Sequence, residues 1–470
     1  MPSQALQGWT PTLSDGDAPI YERLVDALRA DIASGALAAG ARLPPQRDLA
    51  HRLGVGLGTV TRAYVEAEKA GLVEAHVGRG SFVRGGAAAK PARTAESGLI
   101  NLAHNIAPNA PADRRLPETL TRLRRRPDLL DCLAYAPPAG LEVQRRAGAA
   151  WLERSGGLVG ADWTRLVVCA GAQQALTMAF GAVARWSDTV LCEASTFYGV
   201  KALAEHMGYG LKGLAMDAQG LRPDALDEAA ATGVFKALAI QPTLQNPTGR
   251  IMSAGRRAQI VAVARKHDLM IIEDDIYAVY ARAPSALGSP PPFAVLAPER
   301  TFHVSGVSKS LAPGLRTGFL IVPPGDHLAR VLRAVRALSY APPNFGALIA
   351  TQWIEDGTAD AIVAEVRQEM TARRAMAREI LGGSIEAPMS DSAPHVWLPM
   401  SELDAERLAG RALRAGVELT PPSAPVVEPG AVTGVRLCLG AARDREELER
   451  GLRIVAAAVS DVDERSRAVI

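Results

Sequence analysis

Ser305-Gly-Val-Ser-Lys309-Ser-Leu-Ala-Pro-Gly-Leu-Arg316-Thr-Gly318 decides how most of this chain is read. It sets a lysine amine in a loop of small residues, with an arginine seven positions on and a glycine beyond it. A lysine near a guanidinium, with backbone able to approach closely on both sides, suits one chemistry. The amine forms an imine with an aldehyde, and the arginine clamps that molecule's phosphate.

The surroundings of that stretch have the texture of buried parallel strands joined by helices. Short β-branched runs at 165–169, 189–192, 237–240, 270–272 and 301–304 alternate with helical stretches such as 173–185 and 254–267. A further strand at 435–439 and helices beyond 360 predict a smaller C-terminal lobe. The chain has 470 residues, 48% hydrophobic and 22% charged, enough for one large and one small domain. Its net charge of +2 gives no global attraction to nucleic acid, so any such function must rest on a local patch. Cys132, Cys169, Cys192 and Cys438 lie far apart without metal-ligand spacing, which points to a reducing cytoplasm and no metal site. The first 18 residues have no basic segment leading into an apolar run, so no signal peptide is expected. No apolar run reaches membrane-spanning length.

A pyridoxal phosphate site needs an imine-forming lysine, a phosphate cup, an anion opposite the pyridine nitrogen, a donor to the ring oxygen and a stacking plate. Each has a candidate at a strand end. Ala172 and Gln173 follow Gly171 and open a helix, so backbone N–H groups and the helix dipole face an anion. Asp274 ends a strand, where a carboxylate keeps a pyridine nitrogen protonated. Tyr277 lies three residues on, and Asn246 sits on the rigid turn Gln245-Asn-Pro-Thr-Gly249; both are placed for the ring oxygen. Phe197 is the candidate stacking plate, with Tyr198 as the alternative. Sites in open α/β folds form at the carboxyl ends of strands, which is where these residues fall.

With these motifs in place, residues 100–460 resemble the fold-type I aminotransferases, in the branch of the kynurenine and 2-aminoadipate enzymes. The resemblance implies a mainly parallel sheet, a small lobe, and a head-to-tail homodimer with active sites at the subunit interface. It marks Lys309 as the imine lysine, Asp274 as the pyridine partner, and Asn246 and Tyr277 as ring-oxygen partners. Arg316 and Ser308 become phosphate ligands. Arg436, in Gly434-Val-Arg-Leu-Cys438, matches the arginine that binds a substrate carboxylate. Tyr135 matches a tyrosine that reaches the neighbouring subunit's phosphate. Gly306 and Ala172 depart from the pattern, since hydroxyl residues are usual at both positions, and Phe197 replaces a tyrosine.

Residues 17–84 form a separate unit. Ile20, Leu24, Leu28 and Ile32 recur every four residues, predicting a helix with one apolar face. A short helix ends at Gly54, a third starts near Thr59, and two short strands flank Gly78-Arg79-Gly80 as a hairpin. Three helices and a hairpin predict a winged helix-turn-helix. Residues 85–98 have linker composition, and 99–465 make up the large domain. Pro19-Ile-Tyr-Glu22, Arg47-Asp-Leu-Ala50, Gly58-Thr-Val-Thr-Arg-Ala-Tyr64 and Gly78-Arg-Gly-Ser-Phe-Val83 resemble the GntR-family DNA-binding domain. Recognition helices face base edges with their first residues, which places Gly58, Thr59, Thr61 and Arg62 at double-stranded operator DNA. Arg47 is placed for phosphate and Arg79 for the minor groove or backbone. Many relatives carry Ser-Arg where this chain has Gly56-Leu57. Between 42 and 84 the basic residues are Arg42, Arg47, Arg52, Arg62, Lys69, Arg79 and Arg84, against Asp48, Glu66, Glu68 and Glu74. The run Arg114, Arg115, Arg122 and Arg124 to Arg126 is either an extension of that DNA surface or a solvated helix face.

A winged helix ahead of an aminotransferase-like domain resembles the MocR subgroup of GntR regulators. That resemblance implies a regulator in which pyridoxal phosphate, or its adduct with a small amino compound, is the sensed ligand. An amine effector then displaces Lys309 from the cofactor while Arg436 holds its carboxylate. Two other functions fit the same residues: a working aminotransferase carrying a DNA-binding module, and a regulator that senses the cofactor itself.

Overall fold

The computed structural model describes residues 9–13, 18–34, 36–37, 40–76, 80–83, 98–127, 129–281, 289–387, 389–430 and 432–467. The chain divides into two compact units, 1–97 and 98–470.

In the first unit, helix α1 (Ile20–Ser34) buries Leu24 and Leu28, one turn apart, against Leu49, Val60 and Tyr64. Ile20, expected on that face, is 37% exposed because it opens the helix before the core begins. Helix α2 (Gln46–Leu53) stops where Gly54 adopts the left-handed conformation and its N–H returns to Ala50 and His51 carbonyls. Helix α3 starts at Leu57, two residues before the expected Thr59, and runs to Lys69. Strands β1 (Val73–His76) and β2 (Gly80–Val83) pair antiparallel, with Val73 opposite Val83 and both buried. The unit is a winged helix-turn-helix, as its sequence predicts. The hairpin tip with Arg79, and most of the linker, lie outside the described residues.

The second unit is built on seven strands. They are β3 (Leu166–Cys169), β4 (Thr189–Glu193), β5 (Gly210–Leu214), β6 (Ala237–Ile240), β7 (Met270–Asp274), β8 (Thr301–Gly306) and β9 (Gly318–Ile321). Their order is β3-β9-β8-β7-β6-β4-β5, and every neighbouring pair is parallel except the two that involve β9. The core strands are buried on both faces, which explains their unbroken apolar runs. Because β9 runs backwards, its first residue lies level with the last residues of its neighbours: Gly318 pairs with Gly306 and with Cys169. A β-carbon at Gly318 would sit 2.5 Å from the Gly171 carbonyl carbon, so only glycine allows this approach. The small lobe carries β10 (His395–Pro399) paired antiparallel with β11 (Gly434–Cys438), in a register that sets Trp397 opposite Arg436.

Helix α4 (Ala110–Leu123) carries the start of the arginine run. Arg114 and Arg115 pair with Glu365, Arg122 pairs with Glu118 and Asp356, and Arg126 donates to Gln352 at 3.1 Å. Four of its arginines thus serve contacts within the large unit. Among the described residues no helix is long and apolar enough to cross a membrane.

Candidate functional site

The reversed strand explains the phosphate-like end of the site. Gly171, at φ 85°, caps helix α5 (Ala172–Val183), which follows β3. Arg316, itself left-handed at φ 47°, leads into β9 and donates to the Ala170 carbonyl at 2.9 Å. A β-carbon on Gly171 would stand 2.8 Å from an Arg316 guanidinium nitrogen. An exposed guanidinium therefore lies over the first N–H groups of α5, a ready arrangement for a dianion. Ser308 is buried in the adjoining loop. Gln173 is turned away from this cup, donating to the Gly199 carbonyl at 2.8 Å. Gly306 has a packing reason for lacking the usual hydroxyl: a β-carbon there would press to 3.0 Å from the Thr317 carbonyl.

The opposite end is buried and already wired. Asp274, at 6% exposure, accepts from Gln241 at 3.1 Å, and the same Gln241 accepts from the Asn246 backbone N–H at 2.7 Å. Burial pushes the Asp274 carboxyl up to about 7, with Asp275 adding to the rise and Lys309 opposing it. A cationic partner at this carboxylate regains what burial costs it. Asn246 precedes a cis proline, and its side-chain oxygen accepts from Arg436 at 2.6 Å. Tyr277 accepts at its hydroxyl from Asn105 at 2.8 Å, and burial raises the phenol well above its ordinary value.

Lys309 follows β8 and donates from its amine to the Asn105 carbonyl, while the Tyr280 hydroxyl donates to the Lys309 carbonyl. Burial lowers the Lys309 amine to about 8, with Cys438 and Asp274 raising it and Arg436 and Arg316 lowering it. At about 8, roughly a tenth of the amine is neutral and nucleophilic at pH 7, far more than for an ordinary lysine. Arg436 is buried and also donates to Thr420 at 2.8 Å. Phe197 is half-buried at the start of helix α6 (Tyr198–Met207) and packs edge-on to Tyr198 at 4.8 Å between centroids. Tyr135 is 80% exposed and contacts Tyr340, so its hydroxyl is not gathered into this chain's own site.

Several residues of the site went unforeseen. Asn105 joins Lys309, Tyr277 and His395, whose ring lies 3.0 Å from the Asn105 amide. Burial drives His395 down to about 3, so it is neutral. Gln241 carried a usable signal, since it directly follows the apolar run 237–240 at a strand's carboxyl end. Behind Asp274, on the other side of the sheet, Glu273, Asp275 and His303 bring ligand-type atoms within 4.8 Å of one another. Burial pushes Glu273 up, but the His303 hydrogen bond at 2.9 Å outweighs it, with further help from the Arg257 charge. The His303 bond and the Arg257 charge favour the ionised form of Glu273, whereas burial, with the Glu273 charge adding to it, pushes Asp275 up.

The first unit shows its candidate DNA contacts on one face. Arg47, Gly58, Thr61 and Arg62 are exposed, Thr59 is half-buried, and Val60 and Tyr64 pack inward. Thr61 donates to Gln46 at 2.8 Å. Arg62 departs from the simplest expectation: its guanidinium lies 4.0 Å over the Tyr21 ring and donates to the Tyr21 hydroxyl at 3.2 Å.

The aminotransferase class I and II profile matches residues 97–455, and the profile of bacterial regulatory proteins of the gntR family matches 20–83. An uncharacterized HTH-type transcriptional regulator of Bacillus subtilis is 26% identical over 467 residues, covering 97% of each chain. The pyridoxine biosynthesis regulator PdxR of Corynebacterium glutamicum is 27% identical over 379 residues, covering 77% of this chain and 79% of PdxR. Among solved structures, the alpha-aminoadipate aminotransferase LysN of Thermus thermophilus, complexed with N-(5'-phosphopyridoxyl)-L-leucine, shares the fold. Its TM-score is 0.69 at 22% identity, with 79% of this chain and 94% of LysN covered. The chain belongs to the aminotransferase class I and II family, and the GntR DNA-binding domain ahead of that fold makes it a MocR-type fusion among the GntR regulators.

Proposed function

We propose that this chain is a cytoplasmic, homodimeric transcription regulator. Its winged helix (17–84) binds operator DNA, a linker (85–98) follows, and the large domain (99–465) senses pyridoxal phosphate or its adduct with a small amino compound. The observation that carries the reading is the buried Lys309 amine at about 8, in the combined field of Asp274, Arg436 and Arg316.

The residues fit pyridoxal phosphate. Asp274 is a buried carboxylate suited to a cationic ring nitrogen, and the absence of a β-carbon at Gly171 opens the cup beneath Arg316. Arg316, Ser308 and the first N–H groups of α5 would hold the phosphate, with Asn246 and Tyr277 at the ring oxygen and Phe197 against the ring face. When bound, the cofactor supplies an aldehyde that condenses with primary amines. Asp274 holds the proton on the ring nitrogen, and Tyr277, kept protonated by burial, donates to the ring oxygen. Arg436, oriented by Asn246 and Thr420, binds the carboxylate of an amino compound. The exposure of Tyr135 supports a second copy of the chain as its partner. In the first unit, Thr59, Thr61 and Arg62 would read or grip DNA, with Arg47 and Arg79 on phosphates or the minor groove. An effector alters DNA affinity by binding two conformations unequally, typically worth about 1–3 kcal/mol.

The test is binding of the full chain to its own upstream intergenic DNA, with and without pyridoxal phosphate, at two salt concentrations. Specific binding that changes with the cofactor is the expected result. Sustained turnover of an amino donor with a keto acid, without specific DNA binding, would replace this reading by that of an aminotransferase carrying a DNA-binding module.

A further inference from the structure

Two of the three cations that meet a ligand in the proposed function, Lys309 and Arg436, are hydrogen-bonded to one short stretch of backbone. The Lys309 amine donates to the Asn105 carbonyl. The Arg436 guanidinium donates to the Ala103 carbonyl at 2.8 Å, and Thr420 donates to the same oxygen at 3.0 Å. The Asn105 side chain adds its own bonds to Tyr277 and His395. The other end of the stretch is fixed by ladder bonds: Ile100 N–H to Gly416, Leu102 N–H to Glu418, and Cys438 N–H to Leu102. In sequence, this stretch directly follows the 85–98 segment that leads from the winged helix.

These bonds compete with ligand. Condensation of the Lys309 nitrogen with an aldehyde carbon forms a C=N bond and expels one water. The nitrogen then has at most one N–H where the ammonium had three donors, and it is drawn to the aldehyde carbon's position. The Asn105 carbonyl loses its partner. A carboxylate at Arg436 offers charge-assisted, bidentate bonds about twice as strong as those to a neutral carbonyl. The Ala103 carbonyl then keeps its bonds from Thr420 and Cys438.

We propose that residues 100–108 form an occupancy-sensitive strap, with Asn105 as its positioning residue. Lys309 and Arg436 hold the strap until ligand engagement transfers them to an aldehyde and to a carboxylate. The inference rests on the roles given to Lys309 and Arg436 above, and it names the element that carries occupancy toward the linker. The two ligand features act on different bonds, so an amine-bearing carboxylate on the cofactor releases more of the strap than the cofactor does alone.

Hydrogen exchange of the full-length protein, read by mass spectrometry over peptides spanning 100–108, tests this directly. Pyridoxal phosphate alone probes the Lys309 bond. N-(5'-phosphopyridoxyl)-L-leucine, which has a carboxylate but no aldehyde, probes the Arg436 bond. Each is expected to speed exchange in the strap by about threefold or more. Lys309→Met should reproduce the first effect with no ligand present. Asn105→Ala removes the side chain's bonds to Tyr277 and His395 and should speed exchange at rest while keeping the carbonyl that meets Lys309, and Thr420→Val, which drops one bond to the Ala103 carbonyl, should do so more weakly. Absorbance showing cofactor bound, with strap exchange unchanged or slowed by both probes, would overturn the strap. Should DNA affinity still respond to cofactor in that experiment, the sensing function stands without it. Absence of cofactor binding would overturn both.

Discussion

The recognition helix and the lysine pocket use polar side chains in opposite ways. On the candidate DNA face, Thr61 and Arg62 are exposed, one held by a bond to Gln46 and the other laid over the Tyr21 ring. In the pocket, Asp274, Asn246, Tyr277 and Arg436 are buried, and each is bonded to another member or neighbour of the site. A buried network gains strength from low dielectric but is costly to break, whereas exposed contacts are screened and exchange with water. The pocket is therefore built to hold one ligand geometry. The candidate DNA face carries contacts that salt and small rearrangements tune.

That contrast is open to test at several scales. The largest effect is expected at Asp274. Asp274→Ala removes the only buried anion assigned to the ring nitrogen and should weaken cofactor binding by about 1.5–3 kcal/mol, tenfold or more, in an absorbance titration. Unchanged affinity would mean that the buried end of the pocket does not hold the ring. Gly318→Ala forces a β-carbon against Gly171 and should cost about 1–3 kcal/mol of stability, seen as a lower thermal midpoint of the large unit.

A pH profile addresses the amine. The folded Lys309 amine is lowered to about 8, so its neutral, nucleophilic fraction grows about tenfold per pH unit below that value and levels off above it. The rate of cofactor attachment, followed by stopped-flow absorbance, should rise to a plateau near pH 8. A rise continuing toward the ordinary lysine range would show that burial does not set this group.

The smallest effect lies on the DNA face. Arg62→Ala should weaken operator binding only a few-fold and reduce the salt slope by about 0.9 for one lost phosphate contact. An unchanged slope would leave Arg62 as a structural partner of Tyr21.

Much of the pocket was legible because its residues sit at the ends of apolar runs, where parallel strands deliver loops to a common edge. Asp274, Lys309 and Asn246 could be placed from short-range signals alone. Asn105 and His395 could not, since they meet each other across 290 positions of sequence. The reversed strand β9 was also missed: a four-residue strand that opens on a glycine, three of its residues buried, does not announce its direction. Of its consequences, Gly306 was seen only as a departure from a family pattern and Gly318 only as a glycine beyond Arg316. Arg62 was placed by helix phase, which gives the face but not the neighbour on α1 that captures the side chain.

Coupling between the two units shows in one comparison. Fluorescence anisotropy would follow binding of the full-length protein and its Lys309→Ala variant to their own upstream DNA, each with and without pyridoxal phosphate. Cofactor should shift the unmodified chain's affinity by roughly 5–150-fold and leave the variant's unchanged. An equal shift in both proteins, or none in the unmodified chain, would contradict it.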